Sequence, residues 1–445
     1  MKKVLILGAG LVAQPIVRYL LDNEILVTVA SNTPDRAEKM INGHKNGVNV
    51  DWSVDNESKL DEMIGQNDLV VSLLPYIYHV TVAKHAIKHK KNMVTTSYVK
   101  PKMKALDGQA KEAGITILNE LGLDPGIDHM SAMRIIDHIH AKGGKVVDFY
   151  SICGALPAAE AATNPLKYKF SWSPKGVVMA GNNDAKYLKH GKVVEVPTEK
   201  LFRDIFTVNF PKVDTLDVYP NRDSLEYKDI YGIPEAETVF RGTFRFKGWC
   251  ETIDTLKRLD LISYEKFDMI DMTYADMIAR KIQACNSDNI KQKVADYLKM
   301  DVNAPALGAI EWIGLFENKP MNRMEDSTFE VTSDLMIAKM QLGQTERDMV
   351  AMEHTFLASY PDGKKEVIKS RMLDFGTLST DTSIARTVAL PAAIGVKMIL
   401  DGKITVKGVF RPVIPEIYNP VLNELEKLNI KMVEEYGLPE SENIK

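Results

Sequence analysis

Lys3-Val4-Leu5-Ile6-Leu7-Gly8-Ala9-Gly10-Leu11-Val12-Ala13 decides the fold. The apolar run 4–7 is a short buried strand, and helical spacing takes over at 12–21. Between them stands a GxGxxA loop. Gly8 permits the tight turn. Gly10 lets a pyrophosphate approach the backbone beside Leu11 and Val12. Ala13 is small enough for the helix to pack closely on the strand, and the helix N-terminus meets the phosphate charge. A lone loop of this kind is a weak signal, but one joining a strand to a helix in a βαβ context marks a dinucleotide site.

Moving outward, strand patterns recur at residues 26–30, 48–52, 68–74, 92–97 and 115–119, with helical patterns between. That alternation predicts an α/β Rossmann domain, a parallel sheet covered on both faces. The second strand ends in Ser31-Asn32-Thr33, with Arg36 following. A site for NAD places an acidic residue here against the ribose 2′-hydroxyl. Neutral hydrogen-bonding residues and an arginine suit a 2′-phosphate instead, so the pattern favours NADP, with NAD as the alternative. Arg36 as an ordinary solvated helix residue is the competing reading. Leu74, Pro75 and Tyr76 follow the fourth strand and Thr96 the fifth, at strand ends that line the ligand crevice in this architecture.

The chain has 445 residues, enough for two or three domains. A net charge of −4 gives no electrostatic footprint for nucleic acid or a membrane surface. No apolar run approaches the roughly 18 residues of a membrane span. Cys153, Cys250 and Cys285 are scattered and form no CxxC pair, so no metal site or disulfide framework is indicated. Sparse cysteines suit a reducing compartment, and a cytoplasmic enzyme is the expectation.

Past Gly144 the character changes. Residues 146–152 and 238–247 read as strands, 251–344 as mostly helical, and 383–400 and 419–436 as helical again. The charged tail after Gly437 reads as frayed. Between these lie polar segments of unusual composition. They are Thr95-Thr96-Ser97-Tyr98, Asn119-Glu120-Leu121-Gly122-Leu123-Asp124-Pro125-Gly126-Ile127-Asp128-His129 and Cys153-Gly154-Ala155-Leu156-Pro157. Further on come Tyr168-Lys169-Phe170-Ser171-Trp172-Ser173, Tyr219-Pro220-Asn221-Arg222-Asp223-Ser224 and Pro234-Glu235-Ala236-Glu237-Thr238-Val239-Phe240-Arg241-Gly242-Thr243.

Taken in order, these segments resemble the L-glutamate-forming saccharopine dehydrogenases over at least the first 250 residues. The resemblance implies a Rossmann domain at 1–125, completed by C-terminal helices at about 385–445. It also implies an α+β substrate and dimerisation domain at 126–384 with a helical insertion at about 255–345, and a homodimer. The implied reaction is the NADP-linked interconversion of saccharopine with aminoadipate semialdehyde and glutamate, part of lysine metabolism.

Saccharopine carries three carboxylates, and arginine is the natural bidentate clamp for such groups. Arg222 and Arg241 are the expected ligands, Arg245 a weaker third. Asp124 is expected to accept from a substrate ammonium, or else to be a turn residue. Ser97 and Tyr98 are placed at the cofactor junction, and Phe170 and Trp172 offer aromatic walls or simple core packing. Proton transfer falls to Tyr98, Asp124 or Cys153. His129 reads at least as well as a satisfied core histidine. The alternatives are a related imine-forming enzyme such as carboxynorspermidine dehydrogenase, with fewer carboxylates to bind, and a non-catalytic NADP-binding protein.

Overall fold

The computed structural model describes residues 1–444. Its first sheet is built from the short apolar runs. These are β1 (Lys3–Leu7), β2 (Leu26–Ser31), β3 (Gly47–Asp51), β4 (Leu69–Ser72), β5 (Asn92–Thr95) and β6 (Thr116–Leu118). Val4, Leu5, Ile6, Val70, Val71 and Val94 are wholly buried, as strands covered on both faces require. All pairings are parallel, and the spatial order is β3-β2-β1-β4-β5-β6. This is the doubly wound order, with a switch point between β1 and β4.

The second sheet contains β7 (Lys145–Pro157), β8 (Ala185–Lys189), β9 (Lys192–Val196), β10 (Phe206–Phe210), β11 (Asp214–Pro220) and β12 (Thr238–Arg245). A ribbon of β13 (Lys266–Asp268) and β14 (Glu325–Ser327) lies apart, within the helical segment. The sheet resumes with β15 (Asp348–Ser359) and β16 (Lys365–Phe375). It is mixed: β7 runs parallel to β12 and antiparallel to β15. Helices from Trp249–Arg258 to Thr328–Lys339 pack on it as a group, in an apolar core shared with one face of the sheet.

Three C-terminal features depart from the sequence reading. β17 (Gly408–Phe410) adds to the open edge of β6 in the first sheet. The segment expected to be helical at 419–436 is helical only within Pro415–Lys427. The chain turns at Asn429, where φ is 63°, and β18 (Val433–Leu438) then pairs with β16. The open edge of β16 offers backbone partners that local helical spacing cannot foresee. The tail is docked rather than frayed: Lys369 Nζ reaches Glu442 at 2.8 Å, and Asn443 Nδ2 donates to Asp148 at 2.7 Å.

The helix Ser383–Leu400 is apolar enough to cross a membrane by composition, and its burial explains why. It packs against the helix Gln14–Asp22, β4 and β5 on one side and β15 on the other. With the helix Ile127–Ala141 it joins the two sheets in one continuous apolar core.

Candidate active site

The nucleotide loop has the geometry its sequence asks for. Gly8 sits at φ 107°, and a Cβ there would come within 3.2 Å of the Leu73 carbonyl oxygen. At Gly10 the same atom would meet nothing within 4 Å, so the backbone lies open where a pyrophosphate needs to approach. Ala13 is fully buried beneath the turn, and Leu11 is exposed. After β2, the Ser31 and Thr33 hydroxyls lie 2.9 Å apart and the Thr33 amide donates to Ser31 Oγ at 3.1 Å. Asn32 and Arg36 are exposed beside them, and no acidic side chain follows directly on the strand. Leu74, Pro75 and Tyr76 follow β4, with Lys100 Nζ 3.7 Å from the Tyr76 ring centre.

A cavity of about 350 Å³ opens beside this loop. The cofactor side contributes Val12 and Thr96; the ends of β5 and β6 contribute Tyr98 and Asp124. The second sheet supplies Cys153, Tyr219, Asn221, Arg222, Thr243 and Arg245, with Trp172 from a loop. Ile384 and Val388 reach it from the C-terminal helix. Gly126 makes the elbow under Asp124: its φ is 148°, and a Cβ there would fall within 2.0 Å of the Gly122 carbonyl oxygen. Only glycine fits this close approach.

The arginines divide into two kinds. Arg241 is buried and neutralised. Its Nη2 bonds Asp124 Oδ1 and lies 3.3 Å from Asp128 Oδ2, while Nη1 donates to the Tyr227 hydroxyl at 2.8 Å. It does not line the cavity, which corrects its expected place as a direct clamp. An arginine already shared between two carboxylates has little left for a third.

Arg222 and Arg245 both line the cavity and have no carboxylate partner among the described residues. Arg222 is exposed, with its guanidinium 5.6 Å from the Tyr98 ring centre. Arg245 is 4% exposed and lies among the rings of Tyr168, Tyr219 and Trp249. Its Nη1 donates to the Phe244 carbonyl at 3.0 Å, and its Nε has no partner. A buried cation without a counter-charge is costly, and a ligand carboxylate is the natural complement.

The titratable candidates also separate. Burial pushes the Cys153 thiol well above its ordinary range, leaving it protonated and inert at neutral pH. Burial likewise raises the Tyr98 phenol, whose hydroxyl donates to Asp124 Oδ1 at 3.1 Å. Burial, aided by the neighbouring Asp128, raises the Asp124 carboxyl, with Arg241 pulling the other way.

His129 lies outside the cavity, 2.7 Å from Glu120 Oε2 through Nε2 and 2.7 Å from the Tyr231 hydroxyl through Nδ1. Arg411 donates to the other Glu120 oxygen at 2.8 Å, so the histidine belongs to a buried structural network. Phe170 also departs from expectation. It is buried in the insertion core, edge-on to Tyr168, and does not line the cavity, whereas Trp172 does. Asn183, Ile384 and Val388 line the cavity from segments whose sequence carries no local signal.

A parallel doubly wound sheet, an open glycine loop and an adjoining cavity with cationic and acid groups define a two-domain nucleotide-dependent oxidoreductase. The pattern described as saccharopine dehydrogenase NADP binding domain matches residues 4–118, and that of the saccharopine dehydrogenase C-terminal domain matches 122–430. The chain belongs to the saccharopine dehydrogenase family, and its cofactor is NADP. It is 38% identical to a saccharopine dehydrogenase (NADP+, L-glutamate-forming) of Saccharomyces cerevisiae over 438 residues, 96% of this chain and 97% of that one. The corresponding protein of Pyricularia oryzae is 36% identical, with 100% of this chain and 99% of that one covered. The bovine mitochondrial alpha-aminoadipic semialdehyde synthase is 39% identical, but the chain spans only 47% of its length. The solved apo saccharopine dehydrogenase (L-Glu forming) of S. cerevisiae superposes with a TM-score of 0.90, at 36% identity and over 98% of this chain and 100% of that one.

Proposed function

We propose that the chain interconverts saccharopine with aminoadipate semialdehyde and L-glutamate, using NADP(H), in lysine metabolism. The observation that carries this reading is the pair of guanidiniums without a carboxylate partner, Arg222 and Arg245, in one cavity beside the nucleotide loop. Saccharopine offers three carboxylates to such a site. A polyamine conjugate offers fewer anions and would leave a buried arginine uncompensated.

The cofactor, when bound, accepts or delivers hydride at the carbon–nitrogen bond. The chain's own residues bind, orient and move protons. Gly8, Gly10, Leu11, Val12 and Ala13 hold the pyrophosphate; Ser31, Asn32, Thr33 and Arg36 hold the 2′-phosphate. Leu74, Pro75, Tyr76 and Thr96 flank the nicotinamide end. Arg222 and Arg245 clamp substrate carboxylates, with Tyr98 and Trp172 around the reacting carbon. Asp124 carries the proton, because its carboxyl lines the cavity with the Tyr98 hydroxyl bonded to it and burial raises it, whereas burial holds the Tyr98 and Cys153 groups protonated. Arg241 and Tyr98 hold that carboxylate in place. Holding the reacting groups in one geometry supplies much of the rate.

Mixing the protein with NADPH, glutamate and aminoadipate semialdehyde and following the loss of NADPH absorbance tests the reaction. No turnover with these, but turnover with a polyamine aldehyde, would reassign the substrate. We also place the protein in the cytoplasm as a homodimer. The cysteines Cys153, Cys250 and Cys285 are all free thiols, which suits a reducing compartment. Two-fold pairing is the commonest closed assembly. Light scattering that gives the 49.8 kDa chain mass at micromolar concentration would exclude the dimer.

A further inference from the structure

His79 opens the helix His79–Lys88 and is 4% exposed. Its Nδ1 lies 2.8 Å from Ser72 Oγ and its Nε2 lies 2.8 Å from Ser97 Oγ, with Thr95 Oγ1 at 3.4 Å. Ser72 and Thr95 are the last residues of β4 and β5 and already face each other in the ladder. The imidazole is therefore not needed to join the two strands. What it adds is a bond beyond the ladder, to Ser97, where the chain has left the sheet.

Ser97 stands between Thr96 and Tyr98, which both line the cavity. Its carbonyl accepts from the Glu120 amide at 3.1 Å, a backbone tie to which the bond between its hydroxyl and His79 adds a second. Burial pushes His79 down to about 4, so the ring is neutral at working pH. A neutral imidazole has one donor and one acceptor, and the two serines take both nitrogens.

We propose that His79 is a positioning residue for substrate. The Ser72–His79–Ser97 chain anchors the middle of the segment Thr96–Tyr98, whose two outer residues line the cavity while the Ser97 side chain turns to His79. The inference rests on the reading of Tyr98 as a substrate residue. A segment held in one conformation meets the substrate without first losing conformational freedom.

The test uses full-length protein and measures kcat/KM for saccharopine together with the NADPH dissociation constant. His79→Asn retains a polar group toward Ser72 but is too short to reach Ser97. It is expected to lower kcat/KM about five- to tenfold. His79→Gln, which spans the longer reach, is expected to restore most of that loss. In a Ser97→Ala background His79→Asn is expected to cost nothing further, because its route to the substrate is gone. NADPH affinity stays within about twofold throughout.

If His79→Asn lost the same factor with and without Ser97, the histidine would be a general structural residue and the proposal would be overturned. If Ser97→Ala alone left saccharopine kinetics unchanged, the segment would not meet the substrate and the reading of Tyr98 itself would fall. Should His79→Asn not fold, Ser72→Ala removes the far anchor of the ring. Its smaller loss must likewise vanish in the Ser97→Ala background, and persistence there would sink the proposal.

Discussion

The two walls of the cavity present their chemistry in different ways. On the first sheet the proposed binding groups are backbone amides, small residues and strand-end hydroxyls, all within a few residues of one another: Gly8 to Ala13, Ser31 to Thr33, Thr96 to Tyr98. On the second sheet they are long side chains whose role depends on what faces them from far along the chain. Arg241 and Arg245 are only four positions apart on β12, and both are buried. One is shared between Asp124 and Asp128; the other lies among aromatic rings with an unpartnered nitrogen. Identical residues on one strand thus become a structural counter-ion and a candidate ligand.

The largest expected effect concerns the acid that Arg241 holds. Asp124→Asn should lower kcat by roughly 10²–10⁴-fold, the usual contribution of a positioned acid or base. In the direction of saccharopine oxidation the carboxylate must be ionised to take a proton. The rate should therefore rise with pH through the raised Asp124 titration, and the Asn variant should lose that limb. An unchanged pH profile would move the proton to water or to another group.

Arg241→Met sharpens the contrast on β12. It leaves the buried Asp128 and the half-buried Asp124 without their cation, at a cost of about 3–5 kcal/mol in stability. Thermal unfolding should shift to clearly lower temperature. A variant with an unaltered melting curve and only a weaker saccharopine KM would return Arg241 to the direct clamp.

Arg245→Met and Arg222→Met should behave in the opposite way. Each should lower kcat/KM for saccharopine by roughly tenfold to more than a hundredfold, since a charge-assisted hydrogen bond contributes about 1.5–3 kcal/mol. Lysine should rescue only in part, because it lacks the planar fork. NADPH affinity measured by fluorescence should hardly move; its collapse would place these arginines on the cofactor.

The smallest effect tests the first wall. NADPH should be preferred over NADH by about tenfold, or about 1.4 kcal/mol. Ser31→Asp should erode that ratio by repelling the 2′-phosphate. An unaltered ratio would show that Ser31 does not face the phosphate.

The uneven legibility of the chain follows the same divide. The strands of the first sheet and the glycine loop were readable because each depends on its own short window: apolar runs, a turn residue, a small residue under a helix. Tyr98, Asp124, Trp172 and Arg222, which line the cavity, lie in polar segments of unusual composition that carry the family resemblance. Phe170 could not be separated from Trp172, two positions away, because which aromatic faces a cavity is settled by packing. Ile384 and Val388 gave no signal at all, being ordinary residues of an apolar helix.

By itself the sequence determined the doubly wound nucleotide domain, its NADP-leaning strand end and the set of polar residues from which a site is drawn. Tertiary structure alone decided how those residues divide. It brought Asp124 and Asp128 to Arg241 across more than 110 positions, left Arg245 without a counter-charge, and carried the last strand, Val433–Leu438, onto the second sheet. The physical reason is that helix and strand preferences act through near neighbours. The charge state and availability of a buried group are set by partners that only folding brings within a few ångströms.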